Sequence, residues 1–475
     1  MSLPPVLPRF EVVARVRPVE LVAPGFVAFE REYDVGTAGD LVPLPQPAPS
    51  VAAIAELATG TDGRVEVALG GPGGERVAGW LERDRLGLSV TGSGPGPGTS
   101  STTTEHASRR HGTAALPVTA LALTLTGHQA TVLAREADRW VARGRVDLRG
   151  RIDVHDPRLL DALRLDWRGG GARERGVRHV RAGGFGQLGL RDLRFVTEAD
   201  GTPIRDGSSL LLTATHAGPG FFGTGHTGVW SLDPATYALG HRADLFFRRP
   251  DRAGVYGDHA THLLRHPDRP GWLVATSTWG DFDPSLPGAT VGVTLAETSA
   301  DLTTGRHVLD TRALALPTTG LAASVGVWDP HLVRDREGWL VGYVSARRFF
   351  DFHPVLAEGP SLDSLTLRGA DPARRETEGT TLVRLDEGWR VLASDGRANP
   401  RRFRERYPVY DLDLREVGAL DAAYPTNIPW PTLAREDGGW LLVTFDGTRY
   451  GGRLVGYGSH GDVVVMRTDT RPACT

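Results

Sequence analysis

The chain has 475 residues, of which 40% are hydrophobic and 23% charged, and its formal net charge is −3. That balance describes a globular protein with no electrostatic reason to bind nucleic acid, and no apolar run reaches the roughly 20 residues a membrane span requires. All of the positive charge is arginine, which excludes Schiff-base catalysis, pyridoxal phosphate attachment and a phosphate-loop lysine.

The single cysteine, Cys474, rules out an internal disulfide and a thiolate metal cluster. The opening residues, Met1-Ser-Leu-Pro-Pro-Val-Leu-Pro-Arg-Phe10, lack the basic and apolar regions of a secretory signal. The expectation is a cytoplasmic protein, or a secreted one whose signal has been removed.

Residues 1–170 show strand-like alternation without a repeat, at 64–69, 85–90, 120–126, 130–133 and 140–143. Residues 42–50 are proline-rich, and 92–112 form a Gly/Ser/Thr tract of loop character. This pattern predicts a β-sandwich. It resembles the lectin-like laminin G modules that often accompany carbohydrate enzymes.

From residue 171 onward a single unit recurs: a polar residue, a short apolar strand, a turn, and a second apolar strand usually opened by Gly-Trp. Its copies are 192–196 with 209–215, 258–264 with 271–277, 329–333 with 338–344, 378–383 with 388–394, and 427–433 with 439–445. A third strand-like run follows each pair, at 228–232, 290–295, 354–357, 407–412 and 462–467. Repeated small antiparallel sheets punctuated by Gly and Pro predict an all-β chain, a five-bladed β-propeller preceded by the sandwich. The last copy ends after its third strand, so its outer strand must come from upstream, and 177–182 is the expected donor.

In a propeller the innermost strand of each blade lines the central channel, and its first residue faces one common mouth. That places Asp192, Asp258, Asp329, Glu378 and Asn427 in a ring, with His259, His262 and His331 beside them. His216, Trp279, Arg347, Asp395, Arg397 and Asp446 follow the second strands to the same mouth, and Trp430 sits within the last first strand. Trp272, Trp339, Trp389 and Trp440 occupy one repeated position and are expected in the core, whereas Trp279 and Trp430 lie off it and could stack on a sugar face. Carboxyls crowded into one concavity must differ in pKa, and a protonated carboxyl opposite an ionised one is the working pair of a glycosidase.

These residues resemble the five-bladed propeller glycosidases of glycoside hydrolase family 43 and its relatives, over about residues 185–475. The motifs that carry the likeness are Asp329-Pro-His-Leu-Val with Gly338-Trp-Leu-Val, and Glu378-Gly. The resemblance implies Asp192 as general base, Asp329 as the residue that sets the pKa and orientation of the acid, and Glu378 as general acid. It also implies an arabinofuranoside or xyloside substrate, related five-bladed propellers acting on fructosides and D-arabinan, and inversion at the anomeric carbon. Three departures stand out: Asp192 lacks a following proline, Glu378-Gly379 precedes Thr380 rather than proline, and the sandwich precedes the propeller where the family's accessory domains usually follow it.

No cofactor is required by this chemistry, although the channel histidines and aspartates could hold a structural Ca²⁺ or another divalent cation. Substrate contacts are expected from Asp258, His259, His262, Trp279, His331, Arg347, Asp395, Asn427 and Trp430. Two other readings remain open at this point: a non-catalytic carbohydrate-binding propeller, and a lyase or cyclase using His, Tyr or Arg in the same pocket.

Overall fold

The computed structural model describes residues 9–33, 41–58, 63–92, 101–169, 176–386, 388–426, 428–436, 438–450 and 461–468. Among these residues no helix is long and apolar enough to cross a membrane, and nearly all regular structure is strand.

The N-terminal part forms two six-stranded sheets. One runs, edge to edge, Arg139–Asp147, Gln129–Glu136, Val118–Thr126, Ser50–Leu57, Val177–Gln187 and Glu20–Glu32. The other runs Val42–Pro43, Arg164–Arg168, Arg64–Gly70, Arg76–Glu82, Arg85–Gly92 and Thr102–His106. Alternation explains the pairing of layers: Val65, Val67 and Leu69 from one sheet meet Leu121, Leu123 and Leu125 from the other in one apolar cluster.

Five further sheets follow. Sheet I contains Leu190–Phe195, Ser209–His216, His226–Leu232 and Leu239–Arg248, and is extended by Gly305–Asp310 lying parallel to Leu239–Arg248. Sheet II contains His259–Arg265, Trp272–Ser277, Val293–Thr298 and Arg312–Ala313; sheet III contains Gly326–Asp335, Gly338–Arg348, Asp351–Gly359 and Thr366–Ala370. Sheet IV contains Thr377–Leu385, Gly388–Asp395, Pro408–Tyr410 and Glu416–Ala419, and sheet V contains Thr432–Glu436, Gly439–Asp446, Asp462–Thr468 and Phe10–Val16. The three-strand repeat read from sequence is thus present in every sheet.

The Gly-Trp step has a local cause. Gly271 and Gly338 take φ of 128° and 139° at the hairpin, and a Cβ there would meet the carbonyl oxygen of Thr298 at 2.3 Å and of Gly359 at 2.4 Å respectively. The tryptophans that follow, Trp272, Trp339 and Trp389, are buried between sheets, and Trp440 is partly buried.

The outer strand of sheet V is not residues 177–182. It is Phe10–Val16, antiparallel to Asp462–Thr468, with Phe10 opposite Thr468 and Val16 opposite Val463. The expected donor has no free edge, because Val177–Gln187 is paired on one side with Ser50–Leu57 and on the other with Glu20–Glu32. Sheet V therefore joins the two ends of the chain and covers an edge that would otherwise be open.

The first strands of sheets I to V touch in a closed circuit. Thr197 Oγ1 lies 3.1 Å from His262 Nε2, and the Leu332 amide donates to His262 Nδ1 at 3.1 Å. The Leu382 amide donates to His331 Nδ1 at 3.2 Å, Gly379 packs on Trp430, and the Phe195 amide donates to Thr432 Oγ1 at 3.3 Å.

Candidate active site

Four of the five first strands carry the same irregularity. Register slips between Arg191 and Arg194, His259 and His262, Trp328 and His331, and Glu378 and Thr381. The bulged residues Asp192, Ala260, Asp329 and Gly379 all have positive φ (53°, 60°, 59° and 72°), as does Ile428 at 52° before the first strand of sheet V. A β-bulge re-aims the side chain it carries, so the bulge positions, rather than the first residues of the repeat, determine what reaches the centre. Asp192 and Asp329 occupy this position, Glu378 stands one residue before it and Asp258 two before it.

The consequence is a buried carboxyl cluster. Asp329 is 1% exposed and Asp192 9%; the Asp329 amide donates to Ser277 Oγ at 3.0 Å, and the Gly379 amide donates to Asp329 Oδ2 at 3.4 Å. Arg194 runs beneath them, donating to the Asp329 carbonyl and to Thr381 Oγ1, each at 3.1 Å, with its guanidinium 4.7 Å from the Trp430 ring. Arg191 lies beside Asp192, 3.7 Å from Oδ2.

The three carboxyls differ as their surroundings dictate. Burial pushes Glu378 up to about 8; the charge of Asp192 adds to the rise, while the indoles of Trp430 and Trp328 oppose it. Burial, followed by the charges of Glu378 and Asp192, raises Asp329 well above the carboxylate range. Asp192 is also raised by burial, but Arg191, Thr215 and Arg194 pull it back. Asp192 is therefore the group with the most cationic support, while Glu378 and Asp329 are both pushed toward the neutral form. Burial in turn lowers Arg194 to about 10, against the opposing pull of Asp329 and Asp192.

A cavity of about 460 Å³ opens at Glu378, the member of the cluster that stands in its wall. Its lining is two-sided. Sheets I to III contribute Phe222, Trp279, Phe282, Trp328, Phe349 and Phe352. The connections of sheets IV and V contribute Glu376, Arg397, Glu405, Tyr424, Thr426 and Arg449. The Trp328 and Trp430 indole nitrogens are buried without a hydrogen bond of normal geometry, yet lie close enough to Glu378 to favour its ionised form.

Glu378-Gly379 now has a physical reason. A Cβ on Gly379 would sit 2.4 Å from Trp430 Cγ, so the residue after the carboxyl must be glycine for the indole to reach it.

Several residues expected at the mouth serve elsewhere. Asp258 is buried, accepts from Arg249 Nε at 2.8 Å and from the Gly280 amide at 2.9 Å, and so anchors a loop. His259 Nδ1 donates to the Gly257 carbonyl at 3.0 Å, and burial, followed by the charge of Arg191, depresses the ring to about 3. His262 and His331 stack on each other at 4.1 Å inside the circuit. Each accepts a backbone amide at Nδ1, which leaves that nitrogen no lone pair for a metal.

Arg347 is tied to Asp351 at 2.7 Å and to the Arg374 carbonyl at 2.8 Å, outside the cavity lining. Asp395, pushed up to about 6 by burial, accepts from Thr377 Oγ1 at 2.8 Å and braces the loop that carries Arg397. Asp446 pairs with Arg15 at 2.8 Å on the closing strand. Asn427 lies outside the described residues. Trp279 does line the cavity, and Trp430 lies directly behind it on Arg194.

His216 joins a separate buried cluster in sheet I. His226 Nε2 and His241 Nε2 lie 3.2 and 2.9 Å from Asp244 Oδ1, His216 Nδ1 lies 3.7 Å from it, and Arg306 Nε is 3.3 Å from Oδ2. The set has the composition of a cation site. Trp230 Nε1 donates to His216 Nε2 at 2.7 Å, however, which leaves the proton on Nδ1. The histidine N–H groups and Arg306 thus converge on a single carboxylate, and the arrangement is a charge cluster without an open ligand set.

Sequence reasoning missed Trp328, Arg194 and the phenylalanines. Trp328 was accessible as the residue preceding Asp329, in the register position that Glu378 holds in sheet IV. The phenylalanines fall mostly in connections: Phe349-Phe350 joins the second and third strands of sheet III, and Phe221-Phe222 lies between the same strands of sheet I.

No family model and no curated protein matches this sequence. Solved structures give matches over part of the chain. A family 117 glycoside hydrolase of the marine bacterium Zobellia galactanivorans aligns at 12% identity and a TM-score of 0.42, covering 59% of this chain and 85% of that one. The catalytic domain of a Coprinopsis cinerea GH62 α-L-arabinofuranosidase aligns at 11% identity and 0.38, covering 61% and 93%. A Bombyx mori GH32 β-fructofuranosidase aligns at 13% identity and 0.40, covering 59% and 61%.

Proposed function

We propose that this protein is a glycosidase built as a five-bladed propeller, sheets I to V, carrying an N-terminal β-sandwich. In this division the sandwich lends no strand to the ring, and residues 10–16 cross over to close it. The observation that carries the functional reading is the carboxyl cluster. Asp192 and Asp329 are buried beside Glu378, which reaches the cavity wall; Glu378 is held neutral near pH 7 and Asp192 is flanked by arginine.

Crowding three carboxyls beside only two arginines costs folding energy, and such costs concentrate where chemistry requires them. In the proposed reaction Glu378 protonates the glycosidic oxygen as the bond to the anomeric carbon breaks. Asp192 takes a proton from the attacking water on the opposite face, which gives inversion. Asp329 is the positioning residue: it holds the Gly379 amide, and with it the turn that presents Glu378. Hydrolysis by this route needs no cofactor.

The proposed substrate is a furanoside or xyloside. The charged and hydroxylated side of the cavity, with Arg397, Arg449, Glu405 and Thr426, supplies donors and acceptors for sugar hydroxyls. A lyase working through Tyr424 is less well supported, because its hydroxyl donates to the Asp395 carbonyl at 2.7 Å and burial raises its pKa.

The test is hydrolysis of a panel of aryl furanosides and xylosides, with arabinan and arabinogalactan, by wild type and Glu378→Gln. Turnover that the substitution lowers, most on the least acidic leaving groups, supports the reading. Absence of turnover on every substrate would overturn it in favour of a binding propeller.

A further inference from the structure

We infer that the wall of the cavity formed by sheets I to III is an aglycone subsite for a planar aromatic group, so that the substrate is an aryl glycoside rather than a polysaccharide; this rests on the glycosidase reading of Glu378. The wall is continuous. Trp279 contacts Phe222 at 4.7 Å, Phe282 at 4.9 Å and Trp328 at 5.2 Å between ring centroids, and Phe282 contacts Phe349 at 4.7 Å. Trp328 connects it to the acid, since Trp328 and Glu378 hold equivalent register positions in adjacent sheets.

Phenylalanine rings offer no hydrogen bonds. A second sugar placed against them would leave hydroxyls unsatisfied at roughly 1–3 kcal/mol each. A sugar platform commonly needs one ring with polar groups around it, whereas here the polar groups all belong to the facing side. An aromatic leaving group meets the opposite conditions, gaining offset and edge contacts from each ring.

The wall also continues past the mouth. Phe222, Phe282 and Phe350 are shared with a neighbouring cavity of about 330 Å³, lined also by Phe221 of sheet I and by Arg145 of the N-terminal sheets. Phe350 is 65% exposed and Phe221 55% exposed. Phe350 has φ of 68° at the tip of its hairpin, a conformation unfavourable for a bulky residue and a reason to look for function. Large exposed rings beside a cavity mark a binding surface. The geometry fits an extended aglycone that leaves the cavity along these rings.

The experiment titrates Glu378→Gln with 2-naphthol by calorimetry, alone and combined with Phe350→Ala or Phe282→Ala. Hydrolysis of aryl and methyl glycosides of one sugar is compared in the Glu378-containing proteins. The proposal expects 2-naphthol to bind, each phenylalanine substitution to weaken it about tenfold, and kcat/KM to fall for the aryl glycoside but not for the methyl glycoside. Phe350 is exposed, so its substitution leaves the fold intact even if Phe282→Ala does not. No binding, or equal losses on aryl and methyl glycosides, would overturn the aglycone subsite while leaving the glycosidase standing. Binding that the substitutions weaken, with no glycoside turned over, would overturn the aryl-glycoside proposal together with the glycosidase reading.

Discussion

Replacing Glu378 by glutamine should make the folded protein more stable as the pH rises. In the unfolded chain a glutamate releases its proton near 4.5, whereas burial keeps Glu378 protonated up to about 8 in the folded protein. Between those values the folded state holds a proton that the unfolded state has released, so wild-type stability falls with increasing pH, fully present below 4.5 and lost through about 8. The difference of 8 − 4.5 corresponds to at most about 5 kcal/mol. Glutamine carries no such linkage and preserves the shape of the side chain. Urea unfolding of wild type and Glu378→Gln from pH 4.5 to 9 should therefore give coincident midpoints at the acid end and a growing advantage for the variant, levelling off above pH 8. A stability difference that does not change with pH would refute the claim that Glu378 is held neutral by its surroundings.

Two further expectations come from the same geometry. Glu376 adds its charge to the rise in Glu378, so Glu376→Gln should shift the basic limb of the pH–kcat/KM profile to lower pH; an unmoved limb would remove Glu378 as the group titrating there. Gly379→Ala would push a methyl to 2.4 Å from Trp430 Cγ at φ of 72°, with a loss of about 3 kcal/mol from overpacking and backbone strain. A drop of less than 0.5 kcal/mol, roughly the scale of an ordinary surface substitution, would show that the turn has room to spare.

The repeat was legible because period-two alternation and the Gly-Trp hairpin are local signals, set by pleat and by left-handed backbone. The closing strand was not, since Phe10–Val16 and Val177–Gln187 both alternate and only pairing decides which one has a free edge. Glu378, Asp329 and Asp192 were readable as polar residues where a first strand begins. Asp258 was misplaced for the same reason: the bulge offsets side chains by one or two residues, and sequence alignment of the repeats does not reveal a positive φ at Ala260 or Asp329. The phenylalanine wall was invisible because it is assembled from connections of three sheets, each with its own length and composition.

In the proposed reaction Glu378 gives its proton to the leaving group. Glu378→Gln should be compared with wild type on two glycosides of one sugar, one bearing a 2,4-dinitrophenyl group that departs without a proton and one bearing an alkyl group that cannot. A general acid at Glu378 predicts a loss on the order of 10²–10⁴ in kcat/KM for the alkyl glycoside and a much smaller loss for the dinitrophenyl glycoside. Equal losses on the two would contradict it.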